Sequence, residues 1–308
     1  MKFLVYSEDP EVGAQLTGRA RALADQTGGE VIALTTGEPA LCFKYGADRV
    51  VKVDGLGEFA VEPYKAAAVQ AVEAVNPDVV LIGATRRGKE LAPRLAAALK
   101  VGSMTECTSV DVVDGRVVVE RLTYGGSTIA RETCTSSPTV LSVPPRTYEK
   151  PEASDRAGEV MELKVIAPEP RVKVLERRSK PKASADLESA SIIVSAGRGF
   201  KAKEDLRLLK ELAEALGAQM GCTRPISADL GWMDQWVGIS GKKVKPSLYV
   251  ACGISGTIQH VAGIRDSQII VSVNSDESAG IHGISDYSIV GDVYVVLPAL
   301  VKALRGRA

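Results

Sequence analysis

The stretch Leu248-Tyr249-Val250-Ala251-Cys252-Gly253-Ile254-Ser255-Gly256-Thr257-Ile258-Gln259-His260 changes character abruptly after its fifth residue. The apolar run 248–252 is typical of a buried β-strand, and residues 258–260 begin a short helix. Small and hydroxyl-bearing residues lie between them. Such a junction lets backbone N–H groups approach a phosphate closely. The stretch therefore predicts a strand of an α/β sheet that ends in a pyrophosphate-binding loop.

Further strand-to-helix junctions flank this stretch. An apolar strand is predicted over residues 191–195, and it ends in Gly197-Arg198-Gly199 before a leucine-rich helix. Another predicted strand, 269–273, ends at Asn274, and Asp292 precedes the terminal helix. Glycines at a strand end allow close backbone approach to a phosphate. Taken alone, however, the Gly-Arg-Gly pattern favours an ordinary tight turn.

The first half of the chain alternates strand and helix signals. Predicted strands at residues 3–6, 31–34, 49–53 and 79–83 are separated by helical patterns, which indicates a parallel sheet covered on both faces. Asp114-Gly115 between two valine-rich runs predicts a hairpin, and this half is expected to end as a mixed sheet near residues 140–143. The loop 83–88 lies where α/β folds bind ligands, but an ordinary connection is the favoured interpretation.

A proline- and charge-rich segment divides the two halves. Residues 168–185 contain three prolines and little periodicity, as expected of an interdomain connection. We place the boundary near Asp186. The predicted fold class is α/β with two domains, each a largely parallel sheet with helices on both faces. The first domain spans residues 1–185, with a linker from about 164, and the second, Rossmann-like or flavodoxin-like, spans residues 186–308.

Composition excludes several classes of function. The 308 residues contain 38 Lys and Arg and 38 Asp and Glu, so the basic excess of a nucleic-acid-binding protein is missing. Five cysteines without CxxC spacing and only two histidines argue against a disulfide framework and a transition-metal site. The acidic start disfavours a signal peptide, and no apolar run is long enough for a transmembrane segment. We expect a cytoplasmic protein, or a mitochondrial matrix protein in a eukaryote.

The order and spacing of the glycine-rich clusters in the second half closely resemble the electron-transfer flavoprotein alpha subunit, and the first half is similar more loosely. The matched clusters are Gly197-Arg198-Gly199, Thr223-Arg224, Val237-Gly238-Ile239-Ser240-Gly241, the 253–263 stretch, Asn274 and the 286–292 stretch.

This resemblance implies one non-covalently bound FAD in the second domain. Sixteen residues match the cofactor-binding positions of that family. Arg198 and Thr223 would bind the phosphate and ribityl region; Arg224 would lie over the isoalloxazine; Val237, Gly238, Ile239 and Ser240 would wrap the ring edge, with Ser240 near N5; Ser255, Gly256, Thr257, Ile258, Gln259 and His260 would hold the pyrophosphate and the pyrimidine end; Asn274, Asp292 and Val293 would hold the adenosine.

Simple structural interpretations compete with three of these assignments. His260 is otherwise a surface histidine on a helix, Asp292 an acidic residue favoured by a helix N-terminus, and Ser240 a turn residue. The resemblance favours flavin contact for His260, whose ring N–H would stabilise the reduced flavin. The chain also departs from the family pattern at residues 277–282 and at Ile239, which leaves the local loop shape and the flavin potential open.

The resemblance further implies an electron carrier that pairs with a smaller beta subunit, rather than a stand-alone enzyme. Two versions stay open. In one, the heterodimer shuttles electrons from acyl-CoA dehydrogenase-like flavoproteins to a quinone reductase, with AMP in the partner subunit. In the other, the partner holds a second FAD, and the pair bifurcates electrons from NADH to acceptors such as ferredoxin. Residues 121–126 and 222–225 are more similar to the bifurcating members.

Two rival functions follow from the sequence. A self-contained NAD-dependent oxidoreductase requires Gly-x-Gly-x-x-Gly after its first strand, whereas here Ser7-Glu8-Asp9-Pro10 follows that strand. A nucleotide-binding sensor would explain the first half of the chain but not the second. A visible flavin spectrum of the purified protein separates both rivals from the flavoprotein.

Overall fold

A computed structural model describes residues 1–56, 60–169, 171–172, 174–176 and 187–306, and these residues form two compact units. The first unit comprises Met1–Thr123 and Thr128–Arg177, and the second comprises Tyr124–Ser127 and Arg178–Ala308. The domain boundary that the sequence predicts near Asp186 lies outside the described residues and stays a prediction.

The first unit is built on a seven-stranded sheet in which every neighbouring pair is parallel, as the sequence predicts. Its spatial order is β10-β3-β2-β1-β4-β9-β5. The strands are β1 (Lys2–Tyr6), β2 (Glu30–Thr35), β3 (Arg49–Val53), β4 (Val79–Gly83), β5 (Ser103–Met104), β9 (Thr139–Val143) and β10 (Glu159–Leu163).

Helices cover both faces of this sheet because its strands are apolar on both sides. Leu4 and Ile32 face one core together with Leu95, whereas Phe3 and Val31 face the other. The helices are α1 (Pro10–Thr27), α2 (Pro39–Lys44), α3 (Val61–Val75) and α4 (Gly88–Leu99). Alternation with a period of two places neighbouring strand residues in opposite cores.

A separate antiparallel sheet corrects one expectation of the sequence analysis. The strands β6 (Cys107–Val113), β7 (Arg116–Thr123) and β8 (Thr128–Thr133) pair only with one another. The predicted hairpin is confirmed, and Asp114 and Gly115 at its turn have φ angles of 50° and 72°. The predicted mixed sheet is wrong, because Val110, Val117 and Val119 pack onto the core beside α1 instead of extending the parallel sheet.

The second unit contains a five-stranded, entirely parallel sheet in the order β12-β11-β13-β14-β15. Its strands are β11 (Ile192–Ala196), β12 (Gln219–Cys222), β13 (Leu248–Cys252), β14 (Ile269–Asn274) and β15 (Tyr287–Val290). Numbered within the unit, this order is 2-1-3-4-5, which is the flavodoxin-like order. The predicted fold class is therefore confirmed.

Three helices cover the two faces of the second sheet. The helices α5 (Leu206–Leu216) and α7 (Val293–Arg305) pack on the face that carries Val194 and Val250, and α6 (Ile258–Ile264) packs on the face that carries Tyr249. The chain leaves β11 and β13, which are neighbours, toward opposite faces. A crevice opens at such a switch point, and this is where open α/β sheets bind ligands.

None of the helices in the described ranges combines the length and the apolar character that a bilayer crossing requires.

Candidate functional site

A cavity of about 340 Å³ opens at the carboxyl ends of β11, β13 and β14. Its lining combines the two glycine-rich loops after β11 and β13 with hydroxyl, amide and charged side chains. The lining residues are Gly197, Arg198, Gly199, Thr223, Pro225, Gly253, Ile254, Ser255, Gly256, Thr257, His260, Asn274 and Asp276.

The loops after β11 and β13 approach each other backbone to backbone at the base of this cavity. Gly197 N donates to Cys252 O at 2.9 Å, and Gly199 N donates to Gly253 O at 3.0 Å. Gly253 has a φ of +63°, and a Cβ atom added there would lie 2.7 Å from Gly199 Cα. Only glycine allows this left-handed backbone and this contact together, so the floor of the cavity is exposed main chain.

The loop after β13 presents a row of free amide groups to the cavity. No backbone N–H from Ser255 to Gln259 donates a hydrogen bond to another group in the described part of the chain. The loop is held from the next strand, because Asn274 Nδ2 donates to Ile254 O at 2.8 Å. Consecutive unpaired N–H groups form a concave anion-binding surface. The loop is therefore suited to a phosphate or pyrophosphate.

Two further polar side chains at the cavity lack partners among the described residues. The Thr223 hydroxyl is buried without a hydrogen bond, although Thr223 N is fixed by Ala196 O at 2.9 Å. The exposed Arg198 guanidinium has no carboxylate within ion-pair distance in the described ranges. A buried hydroxyl without a partner costs free energy unless a ligand or water satisfies it. Both groups fit a polyanionic, hydroxyl-bearing ligand.

The comparisons with known proteins agree with this geometry. Family models of the electron transfer flavoprotein domain and of the electron transfer flavoprotein FAD-binding domain match residues 10–168 and 186–265. Protein FixB of Clostridium saccharobutylicum is 38% identical over 304 residues, which cover 94% of this chain and 91% of that protein. The chain belongs to the electron transfer flavoprotein family.

Two relatives from Escherichia coli are similar over nearly the whole chain. A putative electron transfer flavoprotein subunit, YdiR of Escherichia coli K12, is 36% identical and covers 97% of both chains. Protein FixB of Escherichia coli O139:H28 is also 36% identical with the same coverage. The resemblance noted from the sequence is thereby confirmed over most of the chain.

The structure places His260, a predicted flavin contact of this electron transfer flavoprotein, in the interior of the second unit. Its side chain is 5% exposed, which excludes the alternative of a surface histidine. Its Nδ1 lies 3.0 Å from Val237 O, and its Nε2 lies 3.0 Å from Tyr249 Oη. Both ring nitrogens are thus engaged within the protein. The ring borders the cavity, but in this arrangement it has no free N–H for a flavin.

Burial lowers the pKa of His260 to about 4, against the smaller opposing effect of its hydrogen bond with Val237. The imidazole is therefore neutral at physiological pH and contributes no positive charge to the site. A carbonyl oxygen only accepts, so Nδ1 carries the ring proton and Nε2 accepts from the Tyr249 hydroxyl.

This depressed pKa predicts that acid destabilises the second unit. The unfolded chain binds a proton on His260 below about pH 6.5 and the native state only near pH 4, so the free energy of unfolding falls as the pH falls between these values. We expect His260 to account for a loss of about 2 kcal/mol between pH 7 and pH 5. Urea unfolding at pH 7 and at pH 5 measures this loss in the free energy of unfolding. His260→Gln should lack this component and His282→Gln should retain it; equal pH dependence of all three proteins would contradict the assignment.

The ring-edge loop predicted from the family lies against α6. Ile239 N donates to Gln259 O at 2.8 Å, and Gly238 N donates to Lys242 O at 3.0 Å. The exposed Ser240 accepts from Trp236 Nε1 at 3.4 Å, which fits its alternative interpretation as a turn residue. These contacts place the loop beside the first turn of α6.

The predicted site residues fall into two groups. Seven of them line the cavity: Arg198, Thr223, Ser255, Gly256, Thr257, His260 and Asn274. The others lie outside its lining: Arg224, Val237, Gly238, Ile239, Ser240, Ile258, Gln259, Asp292 and Val293. Their proposed contacts with the cofactor stay predictions.

Asp292, one of the residues outside the lining, begins α7 as its N-cap. Its carboxylate accepts from Tyr294 N at 3.0 Å, and Val293 is buried in the core beside α5. The alternative interpretation of Asp292 as a helix-start residue is therefore supported by a direct contact. An adenosine contact would have to use its remaining carboxylate lone pairs.

Ile254, Asp276 and Pro225 also line the cavity, although the sequence does not predict them as site residues. Asp276 closes the loop after β14, because its Oδ1 accepts from Ser278 N at 2.9 Å and from Ser278 Oγ at 2.7 Å. An Asp followed two residues later by Ser is a local turn signal. That signal predicts the turn, but only the tertiary structure brings it to the cavity.

Proposed function

We propose that this chain binds one FAD non-covalently in the crevice between β11 and β13 and, together with a beta subunit, relays electrons between other redox proteins. The observation that carries this proposal is the glycine-floored cavity at the switch point. Backbone amides, a buried hydroxyl and a guanidinium converge there, and none of them has a partner among the residues that the structure describes. A bound flavin supplies the redox chemistry, accepting and releasing one or two electrons.

The residues of the cavity suit the polar parts of the dinucleotide. The amides of residues 255–259 would bind the pyrophosphate, and Arg198 would neutralise its charge. The Thr223 hydroxyl would find the partner that it lacks on the ribityl chain. Asn274 would act mainly by holding the loop, since its amide nitrogen already donates to Ile254 O.

The side chains around the cavity are suited to binding rather than to covalent chemistry. Cys222 and Cys252 end the strands beside it, and burial raises the pKa of both thiols to about 12. They remain protonated at neutral pH, so they are poor nucleophiles. This supports an electron carrier that exchanges electrons with partner proteins and leaves the conversion of substrates to them.

Purification together with the beta subunit tests this function. The expected product is a yellow heterodimer whose flavin is released by denaturation and identified as FAD. One FAD with AMP supports a simple shuttle between acyl-CoA dehydrogenase-like flavoproteins and a quinone reductase. Two FAD per heterodimer support bifurcation of electrons from NADH, with ferredoxin as one acceptor. A colourless complex that takes up no added FAD would overturn the proposal.

Replacement of Arg224 tests the proposed cation over the isoalloxazine. Arg224 is exposed and has no carboxylate within ion-pair distance in the described ranges, so its loss leaves the fold intact. A permanent positive charge beside the reduced, anionic flavin raises the reduction potential. We expect Arg224→Ala to lower the potential by about 60 mV for one electron, equivalent to a tenfold change in the equilibrium constant.

Spectroelectrochemical titration of the heterodimer measures this shift. Arg224→Lys keeps the charge and should shift the potential less, and Arg207→Ala removes an equivalent exposed charge from α5 as a control. If Arg224→Ala changes neither the potential nor the FAD content, Arg224 does not belong to the site.

A further inference from the structure

Tyr249, in the middle of β13, makes a contact that the proposed function does not use. It is completely buried, and its hydroxyl lies 3.0 Å from His260 Nε2. The cavity lining includes His260 but not Tyr249. Tyr249 therefore lies one residue behind the surface on which a cofactor would bind.

The hydrogen bonds through His260 have one direction. Val237 O can only accept, so His260 Nδ1 carries the proton of the neutral ring, and Nε2 is an acceptor. Burial raises the pKa of Tyr249, so its hydroxyl keeps its proton and donates to Nε2. Tyr249 on β13 thus donates to His260 on α6, and His260 donates to Val237 at the start of the loop 237–242.

The hydrogen bond between His260 Nδ1 and Val237 O, which we call the clamp, lies where the loop 237–242 packs closely against α6. A Cβ atom on Gly263 would lie 2.6 Å from Gly238 Cα, and Val244 N donates to Gly263 O at 2.9 Å. The His260 side chain contacts the loop at Val237, directly before Gly238. The imidazole therefore fixes the carbonyl side of Val237, whose N–H donates to Cys222 O at 2.9 Å, at the point where the loop begins.

We propose that Tyr249 is a positioning residue of the flavin site: its hydroxyl holds His260 in the tautomer that clamps the Val237 carbonyl, and so fixes the loop 237–240 before the cofactor binds. This inference rests on the proposed function, because it assigns the loop to the flavin edge. Without the Tyr249 hydroxyl, the buried Nε2 has no donor among the residues that the structure describes, and the ring gains by moving its proton or turning away.

Histidine-selective ¹⁵N NMR of the full chain, assembled with its beta subunit, tests the clamp directly. The chain contains only two histidines, and a His282→Gln variant separates their signals when only this chain is labelled. The expected spectrum shows His260 protonated on Nδ1 alone. A wild-type spectrum with the proton on Nε2, or with exchange between both tautomers, would overturn the inference even if no variant of Tyr249 folds.

Tyr249→Phe removes the hydroxyl and keeps the ring. We expect the Kd for FAD to rise about tenfold and the His260 spectrum to show mixed tautomers. Tyr148→Phe is the matched control, since it also removes one hydroxyl that is hydrogen-bonded, to Val110 N at 2.7 Å in the first unit. It should leave both measurements unchanged.

The outcomes separate this inference from the proposed function. If the wild type binds FAD, but Tyr249→Phe binds it equally well with an unchanged imidazole spectrum, the inference fails and the proposed function stands. If the wild-type complex binds no FAD, the proposed function and the role assigned to Tyr249 both fail, whatever tautomer the spectrum shows.

Discussion

Gly253→Ala is expected to lower the affinity for FAD at least about a hundredfold. The φ of +63° at this position strains any residue with a Cβ atom, and the added atom would lie 2.7 Å from Gly199 Cα and 3.0 Å from Gly199 N. The loops after β11 and β13 must then separate, which opens the floor of the cavity. We expect the free energy of unfolding of the second unit to fall by about 3 kcal/mol.

Gly217→Ala is the matched control for this substitution. Gly217 ends α5 with a φ of +62°, but nothing lies within 4 Å of an added Cβ atom. Gly217→Ala therefore introduces the same backbone strain as Gly253→Ala but no steric clash. We expect it to lower the free energy of unfolding by about 1 kcal/mol and to leave FAD binding unchanged. FAD titration and urea unfolding of both variants measure the difference. Equal losses of FAD affinity would show that the close loop contact does not shape the site.

Arg198→Ala is expected to weaken FAD binding by about 10- to 100-fold. Hydrogen bonds between charged groups contribute about 1.5–3 kcal/mol, and the Arg198 guanidinium has no competing carboxylate in the described ranges. The exposed position of Arg198 also predicts that salt weakens FAD binding to the wild type more than to the variant. Titration with FAD at low and at high ionic strength measures both effects.

Two further variants define what Arg198 contributes. Arg198→Lys keeps the charge but loses the planar fork, and should retain part of the affinity. Arg207→Ala removes an exposed charge from α5 in the same unit and should have no effect on the FAD affinity. If it weakens FAD binding as much as Arg198→Ala does, the effect reflects the net charge of the unit rather than a phosphate contact.

The elements predicted correctly are those whose signal lies within the element itself. The strands β3, β4 and β13 have the predicted bounds, and the predicted leucine-rich helix is α5, because each has a largely apolar run or a regular leucine pattern. The sequence does not predict β10, because Glu159–Leu163 is a largely exposed edge strand that is short and has no regular alternation of polar and apolar residues. It joins the sheet only through its pairing with β3, about 110 residues earlier.

His260 shows the same limit within the site. The motif predicts His260 as a site residue. Residue type and spacing, however, do not decide whether its side chain lies on the surface or donates a hydrogen bond to the flavin. The structure excludes the surface histidine, since the ring is buried with both nitrogens engaged, and flavin contact stays a prediction. Tyr249 has no signal in the sequence beyond that of a core residue in a strand. Its partner, His260, lies eleven positions later, and only the packing of α6 onto the sheet brings the two together.

The order of residues is enough to predict the α/β class, the two parallel sheets and the glycine-rich ends of strands, because hydrophobic periodicity and glycine placement act over a few neighbouring residues. The folded chain is needed to establish the strand order, the separate antiparallel sheet, the burial of His260 and the absence of a described partner for the Thr223 hydroxyl. These depend on which distant segments meet, and burial, pKa values and unsatisfied hydrogen bonds exist only once they do.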